Sequence, residues 1–155
     1  MKILGIDPGT TRLGYGILTV QGSKIIVQDY GIIGYQAGTP PERLKAIYNG
    51  LTKLIKKHQP DRIGIEQLFF YKNQKTAMRV SQAHGVAMLT ASLAGVPVAE
   101  FTPAQVKQAV SGYGSADKQQ VQRAIKMVLG LKEIPKPDDA ADALAVALTC
   151  SLGNK

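Results

Sequence analysis

Residues 2–34 read "KILGIDPGTTRLGYGILTVQGSKIIVQDYGIIG", and this stretch decides the fold. Gly/Thr and Gln-Gly-Ser turn residues divide it into three β-rich segments, "KILGID", "TRLGYGILTV" and "KIIVQDYGIIG". This pattern predicts three strands that form a meander. Asp7 ends the first segment, directly before Pro8 and Gly9. An aspartate in this position could form a turn, help to hold a nucleotide phosphate or bind a metal ion.

The rest of the chain alternates helical patterns with short β-rich segments. Helical periodicity follows Pro40-Pro41 and is ended by His58-Gln59-Pro60-Asp61, and a long Ala-rich helix closes at Gly95. Short strands are predicted for "RIGIEQ" and "VPVAEF", and further helices are capped by Thr102, by Ser115 or Asp117, and run through "DDAADALAVALTC". The order predicts an α/β fold with a five-stranded mixed sheet flanked by helices, and residues 1–155 are expected to form a single domain.

The composition favours a polyanionic partner. Nineteen Lys and Arg against eleven Asp and Glu give a formal net charge of +8. Nucleic acid would suit this charge, although an ordinary solvated basic surface explains it equally well. The single cysteine, Cys150, cannot form an internal disulfide, and no signal peptide or apolar run of about 20 residues is evident. We therefore expect a cytoplasmic protein without a membrane partner.

Two predicted strands end in an acid that follows a glycine and an isoleucine. The first is "GID", ending at Asp7, and the second is "GIE", ending at Glu66. Because side chains alternate along a strand, each acid shares a face with the glycine two residues before it. If the two strands are parallel neighbours, both acids lie at the carboxyl edge of the sheet, where α/β proteins bind ligands. A turn residue at 7 and an exposed strand-end charge at 66 explain each acid taken singly.

The final helix adds Asp138, Asp139 and Asp142. Helical spacing puts either Asp138 or Asp139 on the same side as Asp142 and does not choose between them. Carboxylates that converge need a cation, and an all-oxygen set favours Mg²⁺ or Mn²⁺. Two such ions can hydrolyse a phosphodiester without a histidine or cysteine nucleophile, and we expect His58 and His84 to have structural or surface roles.

Four segments together resemble the motifs of the RuvC family of bacterial Holliday junction resolvases. They are "GIDPGTTRLGYG", "IEQLFFYKNQKTAMRVSQAHGVA", "QVKQAVSGYGSADKQQVQ" and "DDAADALAVALT", and the likeness runs through nearly the whole chain. The resemblance implies a ribonuclease H-like fold and a homodimer that nicks two opposed strands of a four-way DNA junction. It also implies Mg²⁺-dependent chemistry and coupling to the RuvA–RuvB branch-migration complex.

The same resemblance assigns roles to individual residues. The catalytic and metal-binding acids fall on Asp7, Glu66, Asp139 and Asp142, which would hold two Mg²⁺ ions, with Mn²⁺ as a possible substitute. Asp138 is left as a helix cap. Lys107 and Lys118 match DNA-contacting positions. Aromatic residues that could stack on unpaired bases at the crossover follow the second acid, at Phe69, Phe70 and Tyr71.

Three other readings compete with a junction nuclease. The phosphate loop of the actin and sugar-kinase ATPases has a similar Asp-x-Gly-Thr pattern, but those proteins close ATP between two related domains, and this chain shows no second such hairpin. A nucleic-acid-binding module without catalysis would explain the charge and leave the four acids unexplained. A transposase fragment or another nuclease of the same fold is the nearest alternative among enzymes.

Overall fold

A computed structural model describes residues 1–34, 36–68 and 74–153 of the chain. The strands are β1 (Lys2–Pro8), β2 (Arg12–Gln21), β3 (Lys24–Gly34), β4 (Arg62–Glu66) and β5 (Val98–Phe101). The helices are α1 (Pro40–His58), α2 (Gln74–Leu93), α3 (Pro103–Ser111), α4 (Lys118–Val128) and α5 (Asp138–Leu152). The strands form one five-stranded sheet in the order β3-β2-β1-β4-β5. The predicted mixed sheet is confirmed.

The sheet is antiparallel on one side of β1 and parallel on the other. β1 pairs antiparallel with β2, and β2 pairs antiparallel with β3, which gives the meander predicted for residues 2–34. β1 also pairs in parallel with β4, with Gly5 opposite Gly64, and β4 pairs in parallel with β5. The carboxyl ends of β1 and β4 therefore lie side by side.

One face of the sheet is covered by α5, which lies directly on the strand backbones. A Cβ atom at Gly5 would come within 2.1 Å of the carbonyl oxygen of Ala143. A Cβ atom at Gly14 would come within 2.0 Å of the carbonyl oxygen of Asp139. Only glycine fits at these two positions, because no side chain can share that space with a helix backbone. The close approach fixes the start of α5 over the carboxyl end of β1.

The opposite face of the sheet carries a second core beneath α1 and α2. Leu4 and Ile6 of β1 belong to it, together with Ile47 of α1 and Ala87 of α2, and all four are buried. Ile3, which points the other way, belongs to the core under α5. The alternation along β1 divides its side chains between two cores, so Gly5 and Asp7 face α5.

Most predicted helix ends are confirmed. α1 ends at His58, and Gln59 follows it in the left-handed conformation with φ of 49°. Thr102 caps α3, with Pro103 as the first helical residue. Asp117, rather than Ser115, caps α4, since its carboxylate accepts a hydrogen bond from the backbone N–H of Gln120.

Two details of the sequence prediction are wrong. Asp138 is not the cap of α5: Pro137 occupies the N-cap position, and Asp138 is the first helical residue. The strand predicted from "VPVAEF" starts at Val98, because Pro97 has no N–H and the N–H of Val96 donates to the carbonyl oxygen of Ala91. Among the helices in the described ranges, none combines the length and apolar character needed to cross a membrane.

Candidate active site

Asp7 and Glu66 lie at the carboxyl ends of neighbouring parallel strands. The register pairs Gly5 with Gly64 and Ile6 with Ile65, so the two acids occupy the next position on each strand. Both acids face α5, because Gly5 and Gly64, two residues before them, have α5 atoms directly above them. The parallel pairing that the sequence left conditional is confirmed.

Asp139 and Asp142 approach the same corner from the first turns of α5. The turn between β1 and β2 packs against Asp139, since a Cβ atom at Gly9 would lie 3.6 Å from its Oδ1. Asp142 is three residues further along the helix, and its Oδ2 lies 3.4 Å from the Nζ atom of Lys118. Asp138 turns to the rim, where Lys118 and Lys136 approach it at 3.3 and 3.4 Å.

The pKa of Asp7 records how closely the acids are grouped. Burial raises the pKa of this carboxyl well above its usual value, and the negative charges of the other three acids raise it further, in the order Glu66, Asp142, Asp139. Lys118 opposes the rise. A carboxyl surrounded in this way holds its proton more tightly than an exposed one, and a bound cation would oppose that effect.

The pKa values of Glu66 and Asp142 are both raised by burial and both lowered by a nearby lysine. Burial, followed by the charge of Asp142, raises the pKa of Glu66 to about 7, while Lys107 lowers it. Burial also raises the pKa of Asp142, and the ammonium group of Lys118 lowers it. The two lysines therefore favour the charged forms of these acids, and they are also placed where they could contact a phosphate.

A cleft of about 200 Å³ opens onto this group of charges. Its polar lining consists of two of the acids and both of the predicted DNA-contacting lysines. The remaining lining residues are apolar or small, namely Pro103, Val106, Val121 and Ala145. The structure thus brings Lys107 and Lys118 beside Glu66 and Asp142, with an open side through which a substrate can enter.

The donor set fits a hard divalent cation. Within the described residues, no group of three or more His, Cys, Asp or Glu side chains is arranged so that it could hold a metal ion by itself. Mg²⁺ does not require such a group, because it keeps several waters and takes one or two carboxylates together with substrate phosphate oxygens. In the described part of the chain, Oδ2 of Asp139 is buried without a hydrogen-bond partner. This oxygen is ion-paired with Arg12, so a metal ion that bound it would compete with the guanidinium group.

Arg12 is a site residue that the sequence did not reveal. Its Nε atom lies 2.6 Å from Oδ2 of Asp139, an ion pair that is not aligned as a hydrogen bond. The contact exists because β2 passes under the start of α5, a relation between segments more than a hundred residues apart. Nothing in the local pattern "TTRLG" indicates it.

Other predicted residues lie away from the four acids or outside the described ranges. His58 pairs with Asp29 at 3.1 Å, and His84 approaches Glu100 at 3.0 Å. Neither histidine contacts the acids. Phe69, Phe70 and Tyr71, predicted to stack on bases, lie outside the residues that the structure describes.

The fold and the site together define a class of protein. A five-stranded mixed sheet flanked by helices is the ribonuclease H-like fold, and in this chain the ends of β1 and β4 and the start of α5 carry acids. A family model described as crossover junction endodeoxyribonuclease RuvC matches residues 3–150. The chain belongs to the RuvC family. Nucleases of this family depend on metal ions.

Individual relatives support the same assignment. The crossover junction endodeoxyribonuclease RuvC of Brevibacillus brevis is 53% identical over 150 residues, which covers 96% of this chain and 90% of the relative. A structure of T. thermophilus RuvC in complex with Holliday junction substrate has a TM-score of 0.91 and 37% identity, covering 97% of this chain and 93% of that one. The yeast mitochondrial Holliday junction resolvase Ydc2 shares the fold at a TM-score of 0.68 and 15% identity, over 95% and 76% of the two chains.

Proposed function

We propose that this protein resolves four-way DNA junctions in recombination and repair by hydrolysing phosphodiester bonds in two opposed strands. The observation that carries the proposal is the group of four carboxylates at one corner of a RuvC fold, beside a cleft lined by two lysines. The solved relative in complex with Holliday junction substrate supports the choice of DNA. A binding module without catalysis has no use for carboxylates, which repel phosphate.

The acids have the role of holding metal. Asp7, Glu66, Asp139 and Asp142 would hold two Mg²⁺ ions, with Mn²⁺ as a substitute. When bound, the ions supply an activated water for in-line attack and stabilise the 3′-oxygen that leaves.

The two lysines of the cleft have a different role from the acids. Lys107 and Lys118 line the cleft beside Glu66 and Asp142, and we assign them to the DNA phosphates. Such contacts position the strand without reading its bases. Stacking of Phe69, Phe70 and Tyr71 on unpaired bases belongs to the same proposal and rests on the sequence motif alone.

Three further parts of the proposal rest on the family resemblance. Paired symmetric nicks need two active sites, so we propose a homodimer in which each protomer cuts one strand. Branch migration would be supplied by a RuvA–RuvB complex. We also propose a cytoplasmic location, because the proposed substrate is chromosomal DNA. A single domain spanning residues 1–155 also remains a prediction.

The test compares cleavage of a synthetic four-way junction, the matching linear duplex and single strands, each with Mg²⁺ and with EDTA. We expect symmetric, ligatable nicks in the junction alone, dependent on Mg²⁺. Equal rates on duplex and junction would contradict the resolvase assignment and leave a general nuclease. Cleavage that persists in EDTA would contradict the metal mechanism.

A pair of neighbouring variants tests which acids of α5 take part. Asp139→Asn should lower junction cleavage at least about 100-fold, which corresponds to roughly 2.7 kcal/mol of lost transition-state stabilisation. Asp138→Asn is the matched control, because it removes the same charge from the same helical turn at the rim. Its activity should remain within about tenfold of the unmodified protein. Equal losses in the two variants would contradict the assignment of Asp139.

A further inference from the structure

A second concave site lies on the other side of the β1–β2 turn from the carboxylates. Arg43 of α1 and Arg79 of α2 line it together with Thr10 of the turn. The other lining residues are Pro40, Leu44, Ile47 and Gln82. We call this site the arginine cleft.

The two guanidinium groups of the arginine cleft have no carboxylate partner in the described part of the chain. Every ion pair found there involves other cations, and neither Arg43 nor Arg79 takes part in one. The acid next to Arg43 in sequence, Glu42, accepts hydrogen bonds from the N–H and the hydroxyl of Thr39, at 2.6 and 2.8 Å. Two arginines that line one cleft without a counter-ion form a site for an anion.

The size of the arginine cleft restricts what can enter it. Its volume is about 10 Å³, which is room for one water-sized atom. An oxygen of a phosphate group fits this space, whereas a nucleobase or an entire nucleotide does not. The two arginines and Thr10 that line this small depression are therefore suited to one phosphate presented at the surface.

The β1–β2 turn connects the arginine cleft to the carboxylates. Gly9 packs against Asp139 on one side, and Thr10 lines the arginine cleft on the other. Pro8 and Gly9 alone separate Asp7 from Thr10, so the Cα atoms of Asp7 and Thr10 are at most about 11 Å apart. Successive phosphates of one DNA strand advance by about 3.4 Å along the helix axis. A strand held at the carboxylates therefore presents a second phosphate within reach of the arginine cleft.

We propose that Arg43, Arg79 and Thr10 bind one backbone phosphate of the DNA, a few nucleotides from the phosphate that is cleaved. The inference rests on the proposed function, because it takes DNA as the source of the phosphate. The contact positions the strand and does not read its sequence. Its two charges come from helices on the face of the sheet opposite to α5, so the substrate would be held from both faces.

The test measures how the affinity for a four-way junction depends on salt, in EDTA so that no cleavage occurs. The variant is Arg43→Gln/Arg79→Gln. The matched control is Lys45→Gln/Lys53→Gln, which removes two charges from exposed positions of α1 outside the arginine cleft. Loss of one phosphate contact should make the slope of log K against log salt less negative by about 0.9, while the control keeps the original slope. Arg43→Lys/Arg79→Lys should restore the slope, because it restores the charge.

Several results would overturn the inference. Equal slopes in the arginine variant and the unmodified protein would do so, as would equal changes in variant and control. If Arg43→Gln/Arg79→Gln has a lowered melting temperature, Arg43→Lys/Arg79→Lys decides the question. That variant must then fold and show the salt slope of the unmodified protein. If inorganic phosphate raises the melting temperature of the unmodified protein only, and the DNA slope is unchanged, the site binds a free anion.

Failure of the phosphate-contact proposal can be distinguished from failure of the proposed function. The same preparations are assayed for cleavage of junction and duplex. Loss of junction selectivity in the unmodified protein contradicts the resolvase assignment, whereas the salt slope can still be measured on whichever DNA is bound.

Discussion

Asp7 lies in a buried corner in which three neighbouring carboxylates raise its pKa. Like charges held this close are unfavourable for the folded chain when no cation is bound. The same grouping is what a pair of divalent ions requires. At this residue, stability of the metal-free protein and catalysis make opposite demands, a conflict common at functional sites.

The Asp7→Asn variant separates these demands. We expect it to abolish cleavage of a four-way junction while binding persists, because the amide cannot replace an anionic metal ligand. In EDTA near pH 8 the variant should be more stable than the unmodified protein by about 1 kcal/mol, or roughly 2–4 °C in melting temperature. Calorimetry and a gel-based cleavage assay measure the two effects. Cleavage near the original rate would contradict the assignment of Asp7, and a lower melting temperature would contradict the repulsion argument.

Lys118 has an electrostatic effect on the acids that can be measured apart from DNA binding. Its ammonium group lowers the pKa of Asp142 and lies 3.4 Å from Oδ2 of that residue. Lys118→Gln should therefore raise the pKa of Asp142 further above its usual value in the metal-free protein. The carboxyl carbon signals in an NMR titration report this directly. Lys136→Gln is the control, since the ion pair of Lys136 within the described residues is with Asp138 and not with Asp142. An unchanged titration midpoint in Lys118→Gln would refute the coupling.

At the scale of elements, the site depends on how closely α5 approaches β1 and β2. The helix backbone occupies the space above Gly5 and Gly14, and this contact places Asp139 and Asp142 over the ends of the strands. A small change in that distance would move two acids relative to the other two. Catalysis loses much of its advantage when groups shift by about 1 Å.

Gly5→Ala tests this contact. The added Cβ would lie 2.1 Å from the carbonyl oxygen of Ala143, so the helix must move away from the sheet. We expect destabilisation by about 3 kcal/mol or more, measured by urea denaturation. Gly85→Ala is the matched control, because Gly85 lies within α2 with no atom within 4 Å of its Cβ position. That change should stabilise the protein by about 0.5–1 kcal/mol. A tolerated Gly5→Ala would contradict the close packing.

The elements themselves could be predicted because their signals are local. Turn residues separate the three strands of the meander, and Thr102 with Pro103 marks the start of α3. The start of β5 and the cap of α5 were predicted wrongly, because in each case one proline decides where the element begins. Pro97 delays β5 because it has no N–H, and Pro137 takes the cap position that was expected for Asp138.

The part of the candidate site that could be predicted is the part that has a local pattern in the sequence. Acids that end two strands, each two residues after a glycine, indicate a shared corner once the strands are parallel. Helical spacing alone did not decide between Asp138 and Asp139, and the family resemblance was needed. Arg12 and the arginine cleft could not be foreseen, because their contacts depend on how distant elements pack.

At the scale of the whole molecule, a chain with a net positive charge gathers acids at one corner. The net charge is +8, yet acids of β1, β4 and α5 meet in one corner, where the pKa values of Asp7, Glu66 and Asp142 are raised. The surrounding positive surface attracts DNA, and the acidic corner repels it until cations bind. Metal binding therefore turns a repulsive corner into one that accepts a phosphate, and it should also control stability.

The stability of the metal-free protein should fall as the pH rises from about 4.5 to about 7. Burial raises the pKa of Glu66 from 4.5 to about 7, so the folded chain holds a proton that the unfolded chain has released. A carboxyl of this kind stabilises the fold fully below its unfolded pKa, and that contribution is lost as the pH passes through the folded pKa. Asp7 and Asp142 act in the same direction. Melting temperatures in EDTA, measured across this range, should therefore decrease.

Mg²⁺ and one pair of variants complete this test. Because the ion binds deprotonated carboxylates, the difference in melting temperature with and without Mg²⁺ should grow as the pH rises. Glu66→Gln should flatten the decrease seen in EDTA, since it removes a carboxyl whose pKa shift, from 4.5 to about 7, spans this pH window. Glu133→Gln, an exposed position outside the cleft, should leave the decrease unchanged. A melting temperature in EDTA that rises between about pH 5 and 7 would show that the acids are already balanced by cations of the protein itself, with no need for a metal ion.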